Sequence, residues 1–203
     1  GISNTIAYAV VRKGVSGIVK LPTNSKLSYS DLFVSGFLGC KVDIANDGTF
    51  SGLTVSNQKE TSIHVFTKEK ENPAMLLSAV IFDTQSNVEI SPESTAVDLT
   101  HPLIPFTPEK NYRKKHIELL SKSTAEFATF LDAKLGVNPH YLDDFGQNKE
   151  YGDLLTKIMK KTNQVMKKAY ENGEIKSAAP SESSKREKEN KLINRFRRWI
   201  SKT

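Results

Sequence analysis

Cysteine is almost absent from this chain of 203 residues, in which Cys40 is the single example. One cysteine excludes an internal disulfide framework and any metal site built from cysteines alone. The neighbouring Leu38-Gly39 and Val42 are typical of a strand. We therefore expect a small thiol that is buried or half-buried in the core rather than a nucleophile.

Long apolar runs are also lacking, and none approaches the ~18 residues that would cross a bilayer. The first residues, Gly1-Ile2-Ser3-Asn4, have neither the basic nor the apolar segment of a signal peptide. A leading glycine without methionine suggests a processed or trimmed chain, and we expect that a targeting segment was cut off in this way. Hydrophobic content of 37% and charged content of 26% fit an ordinary soluble protein.

Motifs of catalytic and phosphate-binding loops are missing as well. The chain contains no GxGxxG, no Walker loop and no GxSxG elbow, so nothing supports a nucleotide site or a nucleophile-elbow hydrolase. The four histidines have neither the i, i+4 nor the H-x-H spacing that favours metal ligation. They are His64, His101, His116 and His140. We expect no catalytic residue, no metal and no small-molecule cofactor.

Two groups of polar residues have simpler explanations than chemistry. Asp143 and Asp144 could bind a hard cation, but adjacent carboxylates before a Phe-Gly pair are more often helix or turn caps. Asp98 and His101 lie close to Ser94 and Thr95 in sequence only. An enzyme assembled from such scattered residues is the weakest function that we consider.

Positive charge is concentrated towards the C-terminus. The chain carries 29 Lys and Arg against 23 Asp and Glu, a formal net charge of +6. Residues 1–107 carry −2, residues 108–181 carry +3 and residues 182–203 carry +5. The excess is therefore a property of the tail rather than of the fold.

Short β-branched and aromatic runs fill the first half, and each ends near Gly, Asn, Asp, Ser or Pro. In TSIHVFTK, Ile63 and Val65 alternate with His64 and Phe66, which places the two pairs on opposite faces of a strand. Strands at this spacing favour an antiparallel sandwich or barrel over a parallel sheet. The predicted strands are TIAYAVVR (5–12), SGIVKL (16–21), LFVSGFLG (32–39), KVDI (41–44), TFSGLTV (49–55), TSIHVFTK (61–68) and MLLSAVIF (75–82).

The clearest turn signal is Asn46-Asp47-Gly48. A tight hairpin needs positive φ in its turn, which these three residue types adopt at the lowest cost. The sequence therefore predicts a hairpin between the strands at 41–44 and 49–55.

From Pro108 onward the apolar residues recur every three or four positions, which indicates helices. Thr107-Pro108-Glu109 is typical of a helix start, and Gly136 and Gly173 are typical of residues just past a helix end. We predict helices at about 108–135 and 149–172, which form a helical hairpin, then a linker at 177–184 and a third amphipathic helix at about 185–201.

The expected architecture is an α+β chain with the strands first. An N-terminal antiparallel Greek-key β-sandwich occupies residues 1–106, and a helical region occupies residues 107–203. The segment at 91–110 contains a short helix or a last edge strand, followed by prolines that fix the exit angle. Because Leu99, Leu103, Ile104 and Phe106 are too apolar for a free linker, we expect this segment to join the helices firmly to the sandwich.

The predicted C-terminal helix mixes cations with aromatic residues along an apolar stripe. It could lie on anionic lipid, clamp a phosphate backbone, or dock on the rest of the chain, and such a stripe most often indicates packing. The candidate binding residues, within an anionic-surface segment at 185–202, are Lys191, Arg195, Phe196, Arg197, Arg198 and Trp199.

Three stretches give a family resemblance over residues 12–106: GVSGIVKLPTNSKLSYSDLFV, VDIANDGTFSGLTV and NVEISPESTAVDL. Together they resemble the carboxypeptidase regulatory-like, transthyretin-like β-sandwich modules of exported and cell-surface proteins. A small-residue segment that the family has after its first strands is replaced here by SYSDLFV. The resemblance implies a two-sheet Greek key and carries no catalytic residue onto this chain.

The function expected from these observations is that of a non-enzymatic binding or structural module. We expect it in an exported or cell-surface bacterial protein, periplasmic, surface-bound or secreted, where it contacts another protein, a glycan or another cell-surface component. The alternative is binding of nucleic acid or an anionic membrane through the basic C-terminal helix.

Overall fold

Seven strands in two sheets precede the long helices in the computed structural model, which describes residues 11–144, 147–177 and 193–199. The predicted α+β order, strands first and helices after, is confirmed. One sheet has the strand order β4-β1-β7 and the other the order β3-β2-β5-β6. The strands are β1 (Val11–Val19), β2 (Leu32–Ser35), β3 (Lys41–Asp43), β4 (Thr49–Ser56), β5 (Glu60–Thr67), β6 (Met75–Phe82) and β7 (Asn87–Ile90).

The core of the strand half lies between the two sheets. Alternate residues of β5, Ile63 and Val65, are fully buried, and so are Leu53 and Val19 of the other sheet. The prediction that Ile63 and Val65 lie opposite to His64 and Phe66 is confirmed, because the latter two are only partly covered. Burial on one face and partial exposure on the other is what period-two alternation produces.

The first strand differs from its prediction. Two strands at 5–12 and 16–21 were expected, but β1 runs through Gly14 without a break, and residues 5–10 lie outside the described residues. Gly14 has φ +83°, and the pairing with β4 shifts register on either side of Val15. A bulge of this kind keeps one strand continuous where the sequence suggests a turn.

The turn predicted at Asn46-Asp47-Gly48 is present, but the hairpin predicted between the two strands that flank it is wrong. Gly48 has φ +88°, and Thr49 donates both its backbone N–H and its hydroxyl to Asp47 Oδ1, at 3.0 and 2.6 Å. These hydrogen bonds lower the pKa of Asp47. However, β3 pairs with β2 and β4 pairs with β1, so the turn carries the chain from one sheet to the other.

One strand pair departs from the antiparallel expectation. β1 and β7 run parallel, with Gly17 opposite Val88. A Cβ at Gly17 would lie 2.0 Å from the carbonyl oxygen of Val88, so no larger residue fits at this close approach.

The edge strand β6 is buried on both faces, and side chains cap it at Ser78 by forming hydrogen bonds with the backbone of that residue. The backbone N–H of Ser78 donates to Thr95 Oγ1 at 2.9 Å, and its carbonyl accepts from Ser94 Oγ at 2.7 Å. Ser94 and Thr95 belong to the first turns of a short helix, α1 (Pro92–Thr100). The start of α1 therefore satisfies backbone groups that an edge strand would otherwise leave open for pairing with another chain.

The predicted helix at 108–135 is two helices, α2 (Arg113–Ser123) and α3 (Ala125–Val137). They are separated by Thr124, which has φ −104° and ψ 11°. The hydroxyls of Ser123 and Thr124 donate to the carbonyls of Leu119 and Leu120, at 2.9 and 2.8 Å. Such bonds to the preceding turn bend or end helices, which the apolar spacing alone does not reveal.

Gly136 and Pro108 also have roles other than those predicted. Gly136 lies inside α3, and a Cβ there would lie 2.1 Å from the carbonyl oxygen of Thr23, so glycine permits a close approach. Pro108 precedes α2 and forms an isolated antiparallel bridge with Ser177. The predicted helix start at Pro108 is therefore wrong by five residues.

The second of the predicted helices, at about 149–172, is confirmed as α4 (Lys149–Glu171). Asn148 caps its start by accepting the backbone N–H of Tyr151 at 3.1 Å. Gly173 follows its end with φ +72°, as expected of a residue just past a helix. Residues 193–199 are also helical, and the remainder of the helix predicted at 185–201 lies outside the described residues.

The contacts divide the chain into two compact units. The first unit contains the described residues of 1–95 and 131–143, and the second unit contains those of 96–130 and 144–203. The domains expected at 1–106 and 107–203 stay a prediction.

Candidate functional site

An aromatic pair lies on the outer side of the sheet β3-β2-β5-β6, in the first unit. The register places Phe33 of β2 directly opposite Phe66 of β5. Their ring centroids are 5.8 Å apart and the ring planes differ by 23°, which is a stacked arrangement. Both side chains are partly exposed, whereas the adjacent Val34 and Val65 are fully buried. The pair therefore forms a partly exposed aromatic surface on a rigid sheet.

Charged side chains border this pair on two sides. Lys41 Nζ lies 5.0 Å from the centre of the Phe33 ring, a cation–π contact. Lys68 Nζ lies 3.0 Å from Asp43 Oδ1, and both groups are exposed. The His64 ring is 6.0 Å from that of Phe66. We call Phe33, Lys41, His64, Phe66 and Lys68 the aromatic face.

The loop between β2 and β3 presents an unusual apolar residue. Leu38 is 85% exposed and has φ 48° and ψ 47°, a left-handed conformation that costs a non-glycine residue of order 1 kcal/mol or more. Cys40 closes the same loop and is exposed, so the expected buried thiol is wrong. The reason is that residues 37–39 form a short 3-10 turn instead of continuing the strand.

A histidine in the connector after α3 bridges two carboxylates of the first unit. His140 Nε2 lies 2.9 Å from Glu69 Oε2, and its Nδ1 lies 2.5 Å from Asp143 Oδ2. The hydrogen bond to Asp143, followed by the charges of Glu69 and Asp143, raises the pKa of His140. Asp143 thus pairs with a histidine, and the bridge ties the connector to the loop after β5.

Buried polar side chains are grouped in the second unit. The rings of His101 and His116 meet edge to face at 5.6 Å, and His116 Nδ1 lies 3.2 Å from the hydroxyl of Tyr170. The Tyr170 ring stacks on Phe106 at 4.6 Å. His116 is fully buried and His101 is 6% exposed, so this cluster is part of the interior. The sequence did not reveal this contact, because the two histidines are 15 positions apart on different helical segments.

Asp98 and Arg113 are buried in the same unit, at 8% and 7% exposure. Arg113 precedes His116 by three positions on α2, so these two residues share one side of that helix. Among the described residues, no group of three or more His, Cys, Asp or Glu could hold a metal ion.

The hydroxyls of Ser94 and Thr95 are committed to the backbone. Besides their bonds to Ser78, Ser94 Oγ accepts the backbone N–H of Ser91 at 2.8 Å and Thr95 Oγ1 donates to the carbonyl of Ser91 at 2.8 Å. Both oxygens therefore hold the start of α1 against β6.

The predicted tail residues separate into packed and exposed ones. Phe196 is 6% exposed, and the Trp199 ring contacts Tyr151 of α4 edge to face at 5.2 Å. Phe196 and Trp199 lie 5.4 Å apart. Arg195, Arg197 and Arg198 are exposed, and Lys191 lies outside the described residues. In this segment the aromatic side packs on α4 while the arginines face solvent.

No family model, no curated protein and no solved structure matches this chain. Within the described ranges, none of the helices combines the length and the apolarity needed to cross a membrane.

Proposed function

We propose that this chain is a non-enzymatic binding module of an exported or cell-surface protein, and that the aromatic face is its contact surface. The observation that carries the proposal is the stacked pair of Phe33 and Phe66 on the outer side of the sheet. Aromatic side chains on rigid strands present a large apolar area at a low entropic cost. The transthyretin-like resemblance supports the same role and the same location outside the cytoplasm.

Either a protein or a glycan fits the chemistry of this face. A protein partner would use the aromatic pair as an anchor, with Lys41, Lys68 and His64 forming a polar rim. A sugar ring would stack its apolar C–H side on a phenyl ring, with its hydroxyls directed to the same rim. The exposed Leu38 adds an apolar contact on the adjoining loop.

The decisive experiment replaces the rings while keeping the apolar volume. We expect the double variant Phe33→Leu, Phe66→Leu to weaken binding about tenfold or more, because a stacked ring contributes more than its area alone. The matched control is Phe33→Tyr, Phe66→Tyr, which keeps both rings and should keep binding. Retardation in native gels containing neutral polysaccharides tests the glycan, and photo-cross-linking from position 38 in a cell-envelope extract tests the protein.

Two results would refute this proposal. One is that the Leu double variant and the Tyr double variant both bind as tightly as the original protein. The other is the absence of both gel retardation and a position-specific cross-link for the intact protein.

The second candidate function is binding to an anionic surface, nucleic acid or membrane, through residues 185–202. The exposed Arg195, Arg197 and Arg198 favour it. Retention on heparin that decreases with salt, and that disappears on deletion of residues 185–203, would favour this function over the aromatic face.

A further inference from the structure

The solvent-facing side of α4 carries a run of lysines between the exposed acidic residues Asp153 and Glu171. Between Leu154 and Tyr170 the helix contains five lysines and no Asp or Glu. All five are exposed. We call them the lysine face: Lys157, Lys160, Lys161, Lys167 and Lys168.

The lysine face lies opposite to the buried side of the helix. The residues of α4 that the second unit buries recur every three or four positions, so the lysines between them share the outer side. At about 1.5 Å per residue, the distance along the helix from Lys157 to Lys168 is roughly 16 Å. The buried residues are Tyr151, Gly152, Leu155, Ile158, Thr162, Met166 and Ala169.

Carboxylates of the described chain neutralise little of this charge. Lys157 lies 3.4 Å from Glu126, and Lys167 lies 3.9 Å from Glu171, but all four groups are largely exposed. Ion pairs of this kind are weak. Among the described residues, no ion pair involves Lys160, Lys161 or Lys168. A concentrated positive charge therefore remains available to a partner.

We propose that the lysine face binds the surface of an anionic phospholipid bilayer. A lysine is a compact charge on a flexible stem, and it can follow headgroups that move in a plane. Contacts to the bases of a nucleic acid commonly use arginine forks and aromatic side chains on which the bases stack. The stretch from 154 to 169 contains neither arginine nor an aromatic residue, which favours lipid over nucleic acid.

This site is distinct from the C-terminal segment. Phe196 and Trp199 pack towards Tyr151, in the first turn of α4, whereas the lysine face begins six residues later. The adhesion that we propose is electrostatic, and no side chain of the lysine face needs to enter the hydrocarbon. It should therefore be sensitive to salt and to the fraction of anionic lipid.

The test compares two variants of equal charge in the intact protein. Lys160→Gln, Lys161→Gln, Lys168→Gln removes three of the five charges of the lysine face, and Lys114→Gln, Lys115→Gln, Lys122→Gln removes three exposed charges of α2. Binding is measured by co-sedimentation with vesicles of phosphatidylcholine containing 30% phosphatidylglycerol, with pure phosphatidylcholine vesicles as a blank. Circular dichroism checks that each variant is folded.

We expect the α4 variant to bind the anionic vesicles about a hundredfold more weakly, and the α2 variant to bind within a few-fold of the original protein. Equal losses in the two variants would show an effect of net charge and would overturn the assignment. So would the absence of binding, or a loss caused by deleting residues 185–203 alone. The protein is also tested with a 20-base-pair duplex DNA. Tighter binding to this DNA than to the vesicles, weakened to the same extent in the α4 variant, would overturn the assignment of lipid as the ligand in favour of nucleic acid.

Discussion

Thr95 illustrates how one hydroxyl connects two kinds of secondary structure. Its Oγ1 accepts the backbone N–H of Ser78 and donates to the carbonyl of Ser91, and the side chain is fully buried. Valine has the same shape without the hydroxyl. A buried N–H that loses its acceptor costs more than an ordinary hydrogen bond contributes, since no water replaces the acceptor.

We therefore expect Thr95→Val to lower the free energy of unfolding by about 1–3 kcal/mol. The matched control is Thr129→Val on α3, because Thr129 is exposed and its hydroxyl bond, 3.2 Å to the carbonyl of Ala125, can be replaced by water. The control should change stability by less than about 0.5 kcal/mol. Urea denaturation followed by circular dichroism measures both, and equal effects would contradict the assigned role of Thr95.

The bridge at His140 should make stability depend on pH. Its pKa is raised, chiefly by the hydrogen bond to Asp143, so the folded state favours the charged imidazolium. A histidine whose pKa is raised by folding stabilises the folded state fully at pH values below its pKa in the unfolded chain, about 6.5. This stabilisation is lost as the pH rises through the pKa of the folded state. The difference in unfolding free energy between the original protein and His140→Gln should therefore be largest near pH 5.5 and shrink towards pH 8.

NMR titration checks the cause directly. Asp143→Asn removes the principal acceptor and should lower the pKa of His140, with the resonance assigned by its loss in His140→Gln. A histidine that titrates at its ordinary value in the original protein, or that Asp143→Asn leaves unchanged, would show that the bridge does not form in solution.

At the scale of elements, local sequence predicted strands and helices better than it predicted their partners. Period-two alternation correctly assigned the two faces of β5, because side-chain direction is a local property. The sequence also predicts the turn at residues 46–48, but no local sequence pattern indicates that β3 and β4 belong to different sheets. Strand pairing is decided by contacts between distant residues, which one sequence does not display.

The candidate site shows the same limit. Phe33 and Phe66 are 33 positions apart, and each looks like an ordinary strand residue. Only the register of β2 against β5 places them opposite each other. The break at Thr124 was missed for a different reason: Ser and Thr bonding to the preceding turn competes with an apolar spacing that continues through it.

The docked C-terminal segment carries a natural reporter, because Trp199 is the single tryptophan of the chain. We expect Phe196→Ala to shift its emission to longer wavelength and to increase acrylamide quenching, since Phe196 is buried and packs beside Trp199. The matched control, Arg197→Ala, removes an exposed side chain and should change neither signal. Emission from the original protein that already matches free tryptophan would contradict the packing on Tyr151.

At the scale of the whole molecule, the strands do not complete the first unit by themselves. That unit also contains residues 131–143, from which Asp132 Oδ1 accepts the backbone N–H of Thr23 at 2.9 Å. The His140 bridge to Glu69 is a second contact from this segment. The capping of Ser78 needs Ser94 and Thr95, which follow the last strand.

A fragment ending at residue 90 should therefore fail to fold on its own. It lacks the cap of β6 and every contact from residues 131–143, and it exposes apolar residues that these segments cover. We expect residues 1–90 to show no cooperative thermal transition and to be degraded rapidly by trypsin. A fragment of residues 1–143 contains the whole first unit, so its strands should unfold cooperatively by near-UV circular dichroism. A protease-resistant, cooperatively unfolding 1–90 fragment would contradict both this expectation and the predicted role of the 91–110 segment as a firm junction.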